Sequence, residues 1–132
     1  MSEKKRENFS KALRNLEQSQ HYQPPYDAVT EAGLVALFQV CMEQSWKAMK
    51  ATLEEQGFSE AQTGSPRKVI KCAYSAGMID DEKGWLNALE ARNLVTHSYD
   101  ESVALKLIGL TRTRFIPLFQ QLEARLQSDW AL

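Results

Sequence analysis

Little in this 132-residue chain breaks a helix or staples a fold. Glycine occurs 6 times and proline 4, too few to turn a meander of short strands at every corner. No stretch alternates apolar and polar residues for long enough to claim a strand. Cysteine is nearly absent. Cys41 and Cys72 have the spacing of neither a metal knuckle nor a disulfide framework, and their apolar helical neighbours point to buried free thiols. No apolar run approaches the ~20 residues of a bilayer-spanning helix, so no membrane association is expected. The opening Met1-Ser2-Glu3-Lys4-Lys5-Arg6 is charged and has no apolar core behind it, unlike a secretory leader. The expected compartment is therefore the cytoplasm. Basic excess is missing too: the formal net charge is −1, which argues against tight, sequence-independent duplex binding and against DNA as a partner. It leaves room for a small local phosphate site. There is no glycine-rich phosphate loop, no G-x-S-x-G elbow and no nuclease carboxylate pair at metal spacing. The paired aspartates of a nucleotidyltransferase are not present either. No cofactor and no metal is expected, and the chain is not expected to transfer nucleotides itself.

What remains is ordinary globular composition, 43% apolar and 25% charged, in a length that suits a single domain over residues 1–132. Apolar residues recur at helical spacing almost throughout. Phe9, Ala12, Leu13 and Leu16 predict an amphipathic helix over about 7–20. Pro24-Pro25 ends it in an extended turn, because residues before proline avoid the α region. A long second helix is predicted from Asp27 to Gln56, buried through Leu34, Leu37, Phe38, Cys41, Trp46, Met49 and Leu53 and stopped at Gly57. Gly33 inside it suggests a close helix–helix approach. Residues 58–64 read as a loop. Ser65-Pro66 then supplies a cap followed by proline at the first helical position, opening a short third helix that ends at Gly77. The acidic run Asp80-Asp81-Glu82 matches the positive end of a fourth helix, over about 82–96, better than it matches a metal site. Asp100 caps a fifth helix reaching Leu126, with Pro117 expected to kink or interrupt it. The predicted fold is all-α, an antiparallel up-and-down bundle of four long helices plus short ones.

The densest chemistry lies in Arg92-Asn93-Leu94-Val95-Thr96-His97-Ser98-Tyr99-Asp100. Arginine offers a planar fork of donors suited to phosphate, and histidine gives or takes a proton near neutral pH. Asn93 is placed to bind substrate or orient the histidine. On a helix Arg92 and Thr96 share a face, so both are candidates to contact a substrate, whereas His97 lies about 140° around from Arg92. One helix therefore converges Arg92 and His97 only loosely, and two copies across a dimer axis do so better. These are the parts for cleaving RNA without metal: a base for the ribose 2′-hydroxyl, an acid for the leaving oxygen and a cation for the charged phosphorus centre. The same residues have a plainer explanation, because arginine and histidine near a helix C-terminus are favoured by its dipole alone. Arg112 and Arg114 read as a solvated face or as a basic rim to this stretch, and His21 as a residue at a helix end.

The flanks add to the motif. Arg92-Asn93, then His97, then Tyr99 matches the arginine–polar–three–histidine pattern, with its trailing tyrosine, of HEPN-domain ribonucleases of the HepT-type branch. That branch is also described as nucleotidyltransferase substrate-binding proteins. Ser45-Trp46-Lys47, Ser65-Pro66-Arg67, Ala76-Gly77-Met78-Ile79, Trp85-Leu86 and Asn87-Ala88-Leu89-Glu90 agree with it in order and spacing, and the resemblance covers roughly residues 30 to 125. It implies a HEPN-like helical bundle that forms a homodimer with two motifs facing one cleft. It further implies a ribonuclease toxin acting on RNA, partnered by a minimal nucleotidyltransferase encoded nearby. Carried over, Arg92 and His97 are the catalytic pair, Asn93 supports them, and Tyr99 is the residue that the partner silences by AMPylation. The alternative within the same resemblance is a non-catalytic subunit that binds nucleotide or substrate for the transferase, with Arg92 as its phosphate clamp.

Overall fold

A computed structural model describes residues 2–62 and 64–130. Thr63, in the predicted loop, lies outside the described residues. Six α-helices account for most of the rest: α1 (Ser2–Gln18), α2 (Ala28–Glu55), α3 (Pro66–Ser75), α4 (Glu82–His97), α5 (Glu101–Leu110) and α6 (Ile116–Gln127). No strand occurs among the described residues, so the all-α expectation holds.

The helix starts follow from local chemistry. Asp27, Ser65, Asp81 and Asp100 each accept a bond from the backbone N–H three residues on, satisfying donors that have no partner inside the helix. Pro66 occupies the first turn of α3, where its missing N–H is no loss. Gly57 and Gly77 close α2 and α3 at φ +91° and +81°, left-handed conformations that a Cβ disfavours. The acidic run after Gly77 is fully employed in structure. Asp81 caps α4, Glu82 pairs with Lys71 at 3.9 Å, and Asp80 pairs with Arg125, which also donates to the Gly77 carbonyl at 2.9 Å.

α1 runs against α2, and their buried faces meet α6 at a cluster of aromatic rings. Phe119 of α6 lies 6.3 Å from Phe9 of α1, 6.2 Å from Phe38 of α2 and 5.4 Å from Trp85 of α4, centroid to centroid. All four rings are buried, so one phenylalanine ties four helices together. Cys41 and Cys72 are buried free thiols, as expected. Burial raises the Cys41 pKa, reinforced by the Glu17 and Glu123 carboxylates, which keeps the thiol protonated.

Three details differ from the sequence reading. α1 begins at Ser2, several residues earlier than predicted, because Ser2 is buried and its N–H donates to Glu55 at 2.7 Å. The interruption expected at Pro117 is present, and it divides the predicted fifth helix into two helices joined by a π-helical turn over Thr111–Phe115. Pro117, in the first turn of α6, lacks the N–H that would continue the ladder, and the wider turn absorbs the break. This turn also decides Arg112. Its guanidinium donates to the backbone carbonyls of Ser19 and Tyr22 and lies 5.9 Å from the Tyr26 ring centroid. Arg112 therefore fastens the α1–α2 connection, being neither a solvated face nor a rim, while Arg114 is exposed. Gly33, finally, is exposed, and a Cβ built on it meets nothing within 4 Å, so it serves no close helix approach within the chain.

Candidate functional site

α4 carries Arg92, Asn93, Thr96 and His97 at its C-terminal end. Tyr99 sits in the three-residue connection, Ser98 to Asp100, that leads to α5. The connection is pinned at both ends: Ser98 N–H donates to the Leu94 carbonyl at 2.8 Å, and Asp100 accepts from Val103 N–H at 2.9 Å.

The Arg92 fork is organised by the protein. Nη1 donates to Asn93 Oδ1 and Nη2 to Glu43 Oε2, each at 2.9 Å. Glu43 also accepts from the Trp46 indole N–H at 3.0 Å and lies 3.5 Å from Lys47 Nζ. Partial burial pushes the Glu43 carboxyl pKa up, but the Trp46 N–H and the charges of Arg92 and Lys47 outweigh it and hold it below the ordinary value. Thr96 turns its hydroxyl back to the Arg92 carbonyl at 2.8 Å and accepts from Gln39 at 3.3 Å. The Tyr99 hydroxyl donates to Glu31 Oε1 at 3.0 Å.

Three polar side chains of α2 thus meet three residues of the motif: Glu43 with Arg92, Gln39 with Thr96, and Glu31 with Tyr99. The two helices run antiparallel, and a step of four residues on α2 matches a step of four on α4. Sequence reasoning saw only the apolar stripe of α2 and missed this polar edge. A signal was present, because Glu31 and Glu43 are the sole charged residues between Ala28 and Trp46. Carboxylates isolated in an apolar helix need a partner.

The structure brings Arg92 and Asn93 together and connects Thr96 to Arg92 through the backbone. His97 is exposed at the last position of α4, and its ring makes no hydrogen bond or ion pair among the described residues. Within one chain His97 and Arg92 do not pair, in keeping with the loose convergence read from their spacing. Among the exposed large apolar side chains are Leu94, between the two residues in sequence, Val29 and Val40 on α2, and Leu105 on α5. No cluster of three metal-ligating side chains occurs among the described residues, and none of their helices is long and apolar enough to cross a membrane.

The family model described as nucleotidyltransferase substrate binding protein like matches residues 4–128. The chain belongs to this family. Its Haemophilus influenzae relative "Probable ribonuclease HepT" is 28% identical over 105 residues, covering 74% of this chain and 70% of the relative. Among solved structures, a Thermus thermophilus protein superposes with a TM-score of 0.72 at 25% identity, covering 94% of this chain and 99% of its own. HI0074 of Haemophilus influenzae superposes with a TM-score of 0.76 at 22% identity, covering 91% and 97%, respectively. Its structure is described as the fold of a substrate binding domain of a nucleotidyltransferase. This substrate-binding family and its HepT-type, HEPN-like branch therefore frame the arrangement on α4.

Proposed function

We propose that this chain is a metal-independent endoribonuclease, active as a homodimer and silenced by a partner nucleotidyltransferase. The reading is carried by one observation: Arg92 is oriented by Glu43 and Asn93 while His97, on the same helix end, is left exposed and unengaged among the described residues. A held cation beside a free imidazole suits phosphate chemistry by two copies. His97 of one protomer takes the proton of a ribose 2′-hydroxyl, whose oxygen attacks the adjacent phosphorus. The bond to the 5′-oxygen breaks, and the His97 of the other protomer protonates it. Arg92 offsets the charge that builds on the phosphoryl oxygens, with Asn93 and Thr96 ordering the same surface. The exposed Leu94, between Arg92 and His97 on α4, supplies apolar area beside the site for the second copy.

Tyr99 lies two residues from His97. AMP attached there adds bulk and negative charge at the entrance to the site, which repels RNA. The family description and the name of the Haemophilus relative support a nucleotidyltransferase partner and a ribonuclease activity, and together they suit a toxin–antitoxin pair. Purified protein is expected to cleave single-stranded RNA in EDTA, and His97→Ala is expected to abolish cleavage while remaining folded and dimeric. Equal inertness of the two proteins, both folded and dimeric, refutes catalysis.

A second reading has its own support. Glu43 already balances the Arg92 charge, and His97 makes no contact with Arg92 in the chain. That pattern suits a non-catalytic subunit that presents a nucleotide or substrate to the transferase. Calorimetric binding of a nucleoside triphosphate, lost in Arg92→Gln and unaccompanied by RNA turnover, selects it.

A further inference from the structure

Tyr99 is 50% exposed, yet its hydroxyl is not free. It donates to Glu31, a residue only 8% exposed, in the first turn of α2. The positive end of α2 favours a carboxylate at that place. The Tyr99 hydroxyl nevertheless supplies the only side-chain hydrogen bond of Glu31 among the described residues. Helix α4 ends just before Tyr99 and the α5 cap lies just after it, so the ring can leave α2 without unwinding either helix.

We infer that Glu31 is the positioning residue of Tyr99, docking the unmodified hydroxyl on α2 and driving the modified ring off that place. The inference rests on the reading of Tyr99 as the modified residue. Before modification, a hydroxyl committed to a buried carboxylate must be released for its oxygen to reach phosphorus, so the rate scales with the undocked fraction. In the reaction the phenol oxygen bonds to the α-phosphorus of a nucleoside triphosphate and the bond to pyrophosphate breaks. The phenol proton leaves to solvent. Afterwards the oxygen has no proton to donate, and a phosphodiester charge stands where Glu31 had its side-chain donor. A buried carboxylate that loses its donor and gains a like charge is disfavoured on both counts. The modified ring therefore moves out, carrying the nucleotide toward its near neighbour His97. Glu31 supplies the force of the switch, and Tyr99 is its moving part.

The test uses the full-length protein with Glu31→Gln and Glu31→Ala. N-acetylimidazole, which acylates accessible tyrosine hydroxyls, reports docking without any partner, read at Tyr99 by mass spectrometry. Acylation is expected to rise about tenfold in Glu31→Ala, the scale of one lost charge-assisted hydrogen bond, and by less in Glu31→Gln, whose amide oxygen still accepts. AMP transfer from labelled ATP by the partner nucleotidyltransferase is expected to follow the same order. Once AMPylated, the wild-type protein should show faster amide exchange across residues 97–100 than AMPylated Glu31→Gln. Equal acylation of Tyr99 in all three proteins overturns the docking, and equal exchange in the two AMPylated proteins overturns the expulsion. Slower AMP transfer in Glu31→Ala also overturns the proposal, by making Glu31 an aid to attack. If wild-type protein is never AMPylated, acylation still decides the docking, and the fault lies with the modification reading.

Discussion

The Glu43–Arg92 pair ties the motif to α2, and its strength follows from its setting. Two unit charges about 4 Å apart interact by about 1 kcal/mol in water and about 4 kcal/mol near a typical protein surface. The two side chains are 30% and 32% exposed, so solvent screens them substantially and the lower end applies, about 1 kcal/mol. Removing Arg92 does not strand Glu43, because Trp46 and Lys47 still serve its carboxylate. Single substitutions should therefore cost little beyond the pair itself. A double-mutant cycle of Glu43→Gln and Arg92→Gln, read by urea unfolding, is expected to give a coupling of about 1 kcal/mol at low salt. The coupling should shrink at 1 M salt, where the screening length falls to about 3 Å. Acid has a defined sign. The folded-state pKa of Glu43 lies below its ordinary 4.5, so the contribution is present above that value and lost as pH falls through the lower folded one. A coupling under about 0.3 kcal/mol, or one indifferent to salt, refutes the assignment of Arg92 to Glu43.

Three further outcomes follow from the same structure. Phe119→Ala removes the ring shared by Phe9, Phe38 and Trp85 and is expected to cost about 3–5 kcal/mol in denaturant unfolding. Burial and the neighbouring Glu31 carboxylate raise the Tyr99 pKa. The ultraviolet difference titration against Tyr99→Phe should therefore show a midpoint above the ordinary value of 10.0, and Glu31→Gln should bring it down. Asp100→Ala deletes the cap of α5 and is expected to cost about 1 kcal/mol, with faster amide exchange at Val103.

The capped helix starts, though not the start of α1, and the break at Pro117 were legible in the chain because they depend on groups a few residues apart. A side chain at Asp27, Ser65, Asp81 or Asp100 bonds a backbone N–H three positions on, whatever the rest of the molecule does. Arg92, Asn93, Thr96, His97 and Tyr99 were legible as a group for the same reason, being one short segment with recognisable chemistry. The polar edge of α2 was not. Whether Glu31 meets Tyr99 or Glu43 meets Arg92 depends on how α2 and α4 cross and in what register, and hydrophobic periodicity marks a buried face without naming the partner across it. Arg112 shows the same limit. Its bonds to Ser19 and Tyr22 span some ninety residues of chain and exist because the π-helical turn aims it at the α1–α2 connection. The sequence by itself determined where the helices lie and which short segment carries the chemistry. Only the tertiary structure decided which groups hold that segment, because contacts between helices are set by packing geometry and not by local spacing.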